Sequence, residues 1–183
     1  ITFGTGAMLV GSLDAGTDQD TLDFSTSSTD VAIALTAANV AGGFDGTALA
    51  LTSGGFAGIN EILGGSGMNS LTGLGTDSTW TIGLTNTYEE DSDPANVLEF
   101  SGVGSAIGGA AVDSFDVISS TSLSLFGGDG ADTFDVVGTA NVTGSLNGDG
   151  GDDTFTFTGA AIVPASLDGG ADNDTVDFSA SIT

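Results

Sequence analysis

The feature that most constrains the fold is a regular repeat in the C-terminal half of the chain. The segments LFGGDGADTFDV, LNGDGGDDTFTF and LDGGADNDTVDF begin at Leu125, Leu146 and Leu167, which are equally spaced. In each segment a turn rich in glycine and aspartate precedes alternating apolar residues, which is the pattern of a β-strand. Because self-similarity at a fixed period indicates stacked units, the repeat predicts one coil of chain per copy.

Weaker copies of the pattern occur earlier in the chain. They are LDAGTDQDTLDF from Leu13, ILGGSGMNSLTG from Ile62 and AIGGAAVDSFDV from Ala106. The eighth position of each copy, directly before the strand, is acidic or an amide: Asp20, Asn69, Asp113, Asp132, Asp153 and Asp174. The copy from Ile62 continues as two nine-residue units, whose matching apolar anchors are Leu71 and Trp80. We interpret Trp80 as a core residue.

A longer repeat lies over the first. Residues 1–29 align without gaps on residues 155–183, at an offset of 154 residues, with 15 of 29 positions identical. We therefore interpret residues 1–183 as a single repetitive unit, about one long repeat plus the beginning of the next, as in a slice of a tandem array. Residues 83–105 are more acidic than the other copies, and we expect an acidic loop insertion there.

The charge of the chain excludes several classes of function. It has 25 acidic side chains, no Lys, Arg, His or Cys, and a net charge of −25. Binding to nucleic acid or to an anionic membrane needs cationic groups, and no apolar run is long enough for membrane insertion. Ser–His and Cys–His nucleophiles, Schiff bases and thiolate zinc sites are excluded too. Two carboxylates suffice for a glycosidase, but nothing singles out one pair. We expect no enzymatic activity.

The rest of the composition predicts a folded chain made of strands. Hydrophobic residues make up 39% of the chain, and 31 glycines accompany only two prolines. Short runs of Thr, Val, Ile, Leu and Phe favour strands joined by tight turns. We expect an all-β fold with almost no helix, a parallel β-solenoid of the β-roll or β-helix kind, whose coils lie about 4.8 Å apart.

Stacked coils would bring the eighth-position aspartates into a row along one edge. Two carboxylates about 5 Å apart repel by about 3 kcal/mol at an effective dielectric constant near 20, and each coil adds another pair. Because the chain has no cationic side chain, the row needs a metal ion. Calcium accepts about six to eight oxygens, including carbonyls that glycine turns inward, so it is favoured over magnesium, and several ions are expected.

The candidate ligands fall into three groups. The first ligands are Asp20, Asp132, Asp153 and Asp174. The second carboxylates of the same turns are Asp18, Asp129, Asp149, Asp152 and Asp172. Asp113 and Asn69 hold the eighth position in weaker copies, and Asn69 predicts a weaker site. Asp and Gly are also favoured in any β-turn, but several such turns in register favour calcium.

The segment GGDGADTFD, residues 127–135, resembles the RTX calcium-binding nonapeptide, glycine-glycine-x-glycine-x-aspartate-x-apolar-x. Its fixed positions are occupied by Gly127, Gly128, Gly130, Asp132 and Phe134. The resemblance implies that the turns hold calcium between successive coils. Other copies depart from the pattern: Asp149 stands at the second glycine position, Asp172 at the third, and Asn69 at the aspartate position.

The whole layout is similar to the long repeats of giant bacterial surface proteins, adhesins of the haemagglutinin-like and β-strand-repeat type. The corresponding parts read LDAGTDQDTLDFS, VAIALTAANV, GGSGMNSLTG, STWTI and GGDGADTF, in that order. The resemblance implies a non-catalytic, secreted calcium-binding repeat of a cell-surface fibre, adhesin or biofilm matrix filament, with copies joined end to end. The alternative is an adhesive module that presents one face to a glycan, a host protein or ice.

Three further segments stand apart. YEEDSDP, residues 88–94, is interpreted as a solvated loop, and the alternative is a separate loop-type calcium site. VAIAL at 31–35 and ALAL at 48–51 are apolar on both faces. Such strands are covered on both sides or present an edge to a partner, so we expect a packing or subunit-contact surface there.

Overall fold

The structure, a computed structural model, describes residues 1–48 and 54–181. Its strands are β1 (Leu13–Asp14), β2 (Thr21–Asp23), β3 (Ala32–Ala38), β4 (Phe44–Ala48), β5 (Phe56–Ile59), β6 (Glu61–Leu63), β7 (Ser70–Thr72), β8 (Ser78–Ile82), β9 (Asn86–Glu90), β10 (Val97–Ser101), β11 (Ser105–Ile107), β12 (Asp113–Val117), β13 (Ser124–Asp129), β14 (Thr133–Val136), β15 (Ser145–Gly150), β16 (Thr154–Phe157), β17 (Ser166–Asp168) and β18 (Thr175–Asp177). No helix occurs in the described ranges, so the all-β prediction is confirmed. Within them, no helix is long and apolar enough to cross a membrane.

The strands form two nine-stranded sheets in the described part of the chain. Sheet 1 has the order β1-β5-β4-β3-β7-β11-β13-β15-β17, and sheet 2 has the order β18-β16-β14-β12-β8-β9-β10-β6-β2. Both sheets are mixed: the pairs β3–β4, β4–β5, β8–β9 and β9–β10 are antiparallel. The pairs from β11 to β18 are parallel.

The register of the later strands is the one that the repeat predicts. In sheet 1, Leu125 lies opposite Leu146, and Leu146 lies opposite Leu167. In sheet 2, Phe134 lies opposite Phe155. Each repeat of the glycine turn therefore carries the chain from a strand of sheet 1 to a strand of sheet 2. Equal positions of successive copies are direct neighbours.

The copy that begins at Ile62 has a different frame from the predicted one. Ile62 lies opposite Leu22, a tenth-position residue, and Leu71 lies opposite Ala106, a first-position residue. Asn69 therefore precedes a strand of sheet 1, whereas the eighth-position aspartates precede strands of sheet 2. Strands of sheet 1 and strands of sheet 2 have the same apolar alternation. The sequence of one degenerate copy therefore does not show which of the two sheets its strand enters.

Residues 83–105, where an acidic loop is expected, contain β9 and β10 instead. These strands enter sheet 2 between β8 and β6. NTYEE and VLEFS alternate, and the inward residues Tyr88, Leu98 and Phe100 are buried. The Tyr88 ring lies 4.6 Å from the Trp80 ring, so apolar burial outweighs the acidic composition of this segment.

Aromatic rings stack along the core. The ring centroids of Trp80 and Phe115 are 5.5 Å apart, those of Phe115 and Phe134 are 4.9 Å apart, and those of Phe134 and Phe155 are 4.7 Å apart. All four rings are fully buried, which confirms Trp80 as a core residue. Equal positions in parallel strands bring identical side chains together, and offset stacking adds to their burial.

The apolar segment at 31–35 lies inside sheet 1. β3 pairs with β4 on one edge and with β7 on the other, and Val31, Ile33 and Leu35 are buried. Both edges of β3 are thus paired and one of its faces is buried, whereas Ala32 on the other face is exposed, so the strand is not covered on both faces. In the second apolar segment, Ala48 is buried, and residues 49–51 lie outside the described residues.

Candidate metal centre

Four eighth-position aspartates form one row beside sheet 2. Asp113 begins β12, and Asp132, Asp153 and Asp174 directly precede β14, β16 and β18. Each lies two positions before a residue of the central apolar row, and residues two apart on a strand face the same side. Asp113, Asp132 and Asp153 are therefore buried, with at most 1% of their surface exposed, whereas Asp174 in the last coil is exposed.

Hydrogen bonds connect the row from coil to coil. Asp132 Oδ1 accepts the backbone N–H of Asp113 at 2.8 Å, and Asp153 Oδ1 accepts that of Asp132 at 2.8 Å. Asp174 Oδ1 accepts the N–H of Asp153 at 3.1 Å. One oxygen of each of these three carboxylates is thus held by the preceding coil.

The second oxygen is open at two positions. Within the described ranges, the buried side-chain polar atoms with no hydrogen-bond partner are Trp80 Nε1, Asp132 Oδ2 and Asp153 Oδ2. The two aspartate atoms are called the open oxygens below. Leaving a buried acceptor unsatisfied costs about 1–3 kcal/mol, and more for a charged group. Each open oxygen therefore needs a partner, which can be a proton, a cation or a buried water.

Glycine makes room for the open oxygens. A Cβ on Gly127 would lie closer than 3.0 Å to both Asp132 Oδ2 and the carbonyl oxygen of Gly148. A Cβ on Gly148 would in the same way meet Asp153 Oδ2 and the carbonyl oxygen of Gly169. Each open oxygen thus lies beside the backbone of its own turn, with a carbonyl oxygen of the next coil on the same side.

Asn69 shows how an amide fills the same kind of turn. Its Oδ1 accepts the N–H of Val31 at 3.0 Å, and its Nδ2 donates to the carbonyl oxygens of Gly65 at 3.0 Å and Gly102 at 2.9 Å. A Cβ on Gly64 would again approach the carbonyl oxygen of Gly102. The amide therefore supplies to these carbonyls the donor that a carboxylate lacks.

Asp113 ends the row of carboxylates. The Ser78 hydroxyl donates to its Oδ1, and the backbone N–H of Gly109 donates to its Oδ2 at 2.6 Å. Burial raises the pKa of the Asp113 carboxyl, and these two hydrogen bonds oppose the rise. Both oxygens of Asp113 thus have partners within the protein.

Neutral side chains that precede β6 and β10 also hold backbone groups, and sequence reasoning missed them. Asn60 Oδ1 accepts the N–H of Asp20 at 3.1 Å. Asn96 Oδ1 accepts the N–H of Gly43, and its Nδ2 donates to the carbonyl of Gly43, each at 2.7 Å. The available signal was a polar residue two positions before a buried apolar one, as in Ser78–Trp80, Asn60–Ile62 and Asn96–Leu98.

The other predicted ligands lie on the outside of the turns. The second carboxylates, all exposed, are Asp18, Asp129, Asp149, Asp152 and Asp172, and Asp20 is half-buried. Asp149 and Asp172 stand at glycine positions of the nonapeptide and keep left-handed backbone angles, with φ of 70° and 75°. No group of three or more His, Cys, Asp or Glu side chains placed to hold a metal occurs in the described part of the chain.

The acidic run at 88–94 is also largely satisfied from within. Glu90 is buried, and the Ser92 hydroxyl lies 2.7 and 2.6 Å from its two carboxylate oxygens, so that one proton is shared between them. Asp91 Oδ1 accepts a hydrogen bond from Thr79 at 3.0 Å. The run is partly strand and partly exposed turn.

Comparison of the chain with protein-family models, with curated proteins and with solved structures found no match. The chemistry of the turns therefore distinguishes between candidate functions. Carboxylate and carbonyl oxygens are the donors that hard cations such as Ca²⁺ prefer, and the chain has no His or Cys for a softer metal. The open oxygens and the carbonyls of Gly148 and Gly169 fit calcium in their chemistry.

A proton is another possible partner of an open oxygen, and it predicts a pH dependence in calcium-depleted buffer. Burial, with repulsion from Asp113 and Asp153, raises the pKa of Asp132 from 3.8 to about 7. Between those values the folded state holds more protons than the unfolded state, so the free energy of unfolding falls as pH rises through 7. We expect urea denaturation to show higher stability at pH 5 than at pH 8. A stability that increases over this interval would contradict the burial of these carboxylates.

Proposed function

We propose that the protein is a non-catalytic, calcium-binding structural repeat of an extracellular bacterial surface fibre, adhesin or matrix filament. The single observation that carries the proposal is the pair of open oxygens in a chain with no cationic side chain. Asp132 and Asp153 would hold the ions, with the carbonyls of Gly148 and Gly169. The exposed second carboxylates would add negative charge around the turns. A bound ion supplies the positive charge that these turns need.

The proposed architecture is a β-solenoid with insertions. The parallel pairs from β11 to β18 support it, because equal positions of successive copies stack in order in both sheets: Ser114 on Thr133, Thr133 on Thr154, and Thr154 on Thr175. The strands β4, β9 and β10 lie within the two sheets rather than outside them. β4 and β9 are antiparallel to both of their neighbours, whereas β10 is antiparallel to β9 and parallel to β6. We treat them as insertions between coils.

Calcium dependence suits a protein outside the cell. Extracellular calcium is about millimolar, which fills even weak sites, and a ligand that binds only the folded state stabilises it by mass action. Where free calcium is scarce, the net charge of −25 opposes compaction. We therefore propose that the chain is less stable before secretion and gains stability when it meets calcium outside the cell.

Replacing the two carboxylates by amides tests the proposal. In Asp132→Asn/Asp153→Asn the side chains can donate to the facing carbonyls as Asn69 does. We expect a higher free energy of unfolding than wild type in calcium-free buffer, by about 1–3 kcal/mol per site, and a loss of the gain from calcium. Urea denaturation with and without calcium measures both quantities.

The control variant Asp14→Asn/Asp135→Asn removes the same charge at positions outside the proposed ligand set. It should keep the calcium response of the wild type, because its open oxygens are intact. A calcium response that persists undiminished in Asp132→Asn/Asp153→Asn would show that calcium, if it binds, binds elsewhere.

A further inference from the structure

The two ends of the structure are copies of one coil. β1 and β2 belong to residues 13–24, and β17 and β18 belong to residues 167–178, which correspond in the long repeat of the sequence. β1 and β2 are the terminal strands of the two sheets at one end, and β17 and β18 are the terminal strands at the other. The same coil is therefore seen in two different surroundings.

Opposite faces of this coil are covered at the two ends. At the first end, Leu13 lies opposite Phe56 of β5, and Leu22 lies opposite Ile62 of β6. At the second end, Leu167 lies opposite Leu146 of β15, and β18 pairs with β16. The first end thus shows the neighbour on one side of the coil, and the second end shows the neighbour on the other side.

Residues 1–3 show that the contacts seen at the two ends can be made by one and the same coil. Thr2 forms a parallel bridge with Asp23, and Thr156 lies opposite Asp177, which are the same two positions in the next copy of the long repeat. The Phe3 and Phe24 ring centroids are 5.3 Å apart, as the corresponding Phe157 and Phe178 rings are 5.4 Å apart. The start of the chain therefore occupies, on β2, the place that β16 occupies on β18.

The uncovered face of the last coil is apolar. Val176 and Phe178 are 43% and 49% exposed, whereas their counterparts Leu22 and Phe24 are 0% and 1% exposed. The difference arises because β5 and β6 cover the first copy. An exposed apolar end of this kind can be covered by a further coil. The first end of the structure shows which residues that coil would present.

We propose that the face of β17 and β18 binds the next copy of the long repeat, equivalent to residues 30–183 of this chain, through its β5 and β6, which in that copy have no β1 and β2 of their own to pair with. Phe56 of the second copy would lie on Leu167, and Ile62 on Val176, in the register that they have on Leu13 and Leu22. Successive copies would then share one coil per long repeat. This inference rests on the structural role proposed above and specifies its partner and register.

A tandem chain tests the junction. In it, a second copy of residues 30–183 follows residue 183 directly, so the coil 167–178 of the first copy stands where 13–24 stands. We expect one cooperative urea transition with an m-value about twice that of the 183-residue protein, because the m-value scales with the surface exposed on unfolding. Two independent transitions, each with the single-unit m-value, would overturn the proposal.

Two matched substitutions test whether the coupling between the two copies depends on Val176 in β18. Val176→Asn in the first copy should split the tandem transition in two, while leaving the single unit within about 2 °C of its original melting temperature. Val112→Asn is the control, because Val112 is 45% exposed and lies in the middle of the stack. Equal effects of the two substitutions in the tandem chain would contradict the proposed register.

Hydrogen exchange gives a readout that needs no substitution. Peptides from residues 166–178 occur twice in the tandem chain, once at the junction and once at the open end. We expect two populations, one protected and one exchanging as in the single unit, and one rapidly exchanging population would overturn the proposal. The single unit and the tandem chain are compared in the same buffer. If the protein does not bind calcium, a chelator will have no effect on either of them, and the coupling between the two copies can still be measured.

Discussion

Removal of calcium is expected to lower the melting temperature of the protein by about 10–20 °C. Two sites at a free calcium concentration of about one hundred times the dissociation constant would each contribute about 2.7 kcal/mol. For a domain of this size, about 1 kcal/mol corresponds to about 2–4 °C. Circular dichroism melts in calcium and in excess EDTA measure the change.

Two controls accompany this experiment. Restoring calcium in excess over EDTA should recover the original melting curve, whereas magnesium should recover it only in part, because it demands a tighter octahedral set of ligands and keeps its water. Unchanged strand signal and melting temperature in EDTA would mean that the buried aspartates are neutralised by protons alone, and the calcium mechanism would be abandoned.

Phe134→Ala is expected to cost about 3–5 kcal/mol of the free energy of unfolding, in calcium and in EDTA alike. The Phe134 ring is fully buried and stacks between Phe115 and Phe155. Its removal leaves a cavity in the middle of the aromatic stack, where strand pairs on both sides prevent collapse. Urea denaturation measures the loss.

Phe178→Ala is the matched control, because Phe178 contacts a single ring, that of Phe157, and is 49% exposed. We expect it to cost less than about 1 kcal/mol in the 183-residue protein. Equal costs for the two substitutions would contradict the stacked core, since burial is the main difference between the two positions.

The repeat predicts the fold well where its period is regular. From Ala106 to Val176 the copies follow one another at a nearly constant spacing, and the strand pairs follow it in both sheets. Each eighth-position aspartate there has a neighbour one coil away. A constant spacing fixes register because a slip of one residue would move every apolar side chain to the outside.

The prediction fails where strands were inserted without the repeated turn. β4 and β9 are antiparallel to their neighbours, and the turns beside β4, β9 and β10 carry no copy of the glycine and aspartate pattern. The acidic composition of residues 88–94 obscured the alternating pattern in which Tyr88 and Glu90 both face inward and are buried. Sequence composition described the exposed residues of this segment and missed the inward ones.

The sequence predicted candidate ligands of the site but not the groups that hold them. The spacing identified Asp132 and Asp153, but not that one oxygen of each is held by a backbone N–H of the preceding coil. Nor did the spacing show that the Asn69 amide donates hydrogen bonds to the carbonyl oxygens of Gly65 and Gly102. These two glycines are far apart in sequence from each other. These partners follow from the stacking of coils.

The central claim is that buried carboxylates of this chain are compensated by calcium. A crystal grown in calcium, measured to high resolution with an anomalous difference map, tests it most directly. The claim predicts anomalous peaks within bonding distance of Asp132 Oδ2 and Asp153 Oδ2. A map with no peak at either atom, together with carboxyl C–O bond lengths of protonated acids, would contradict it.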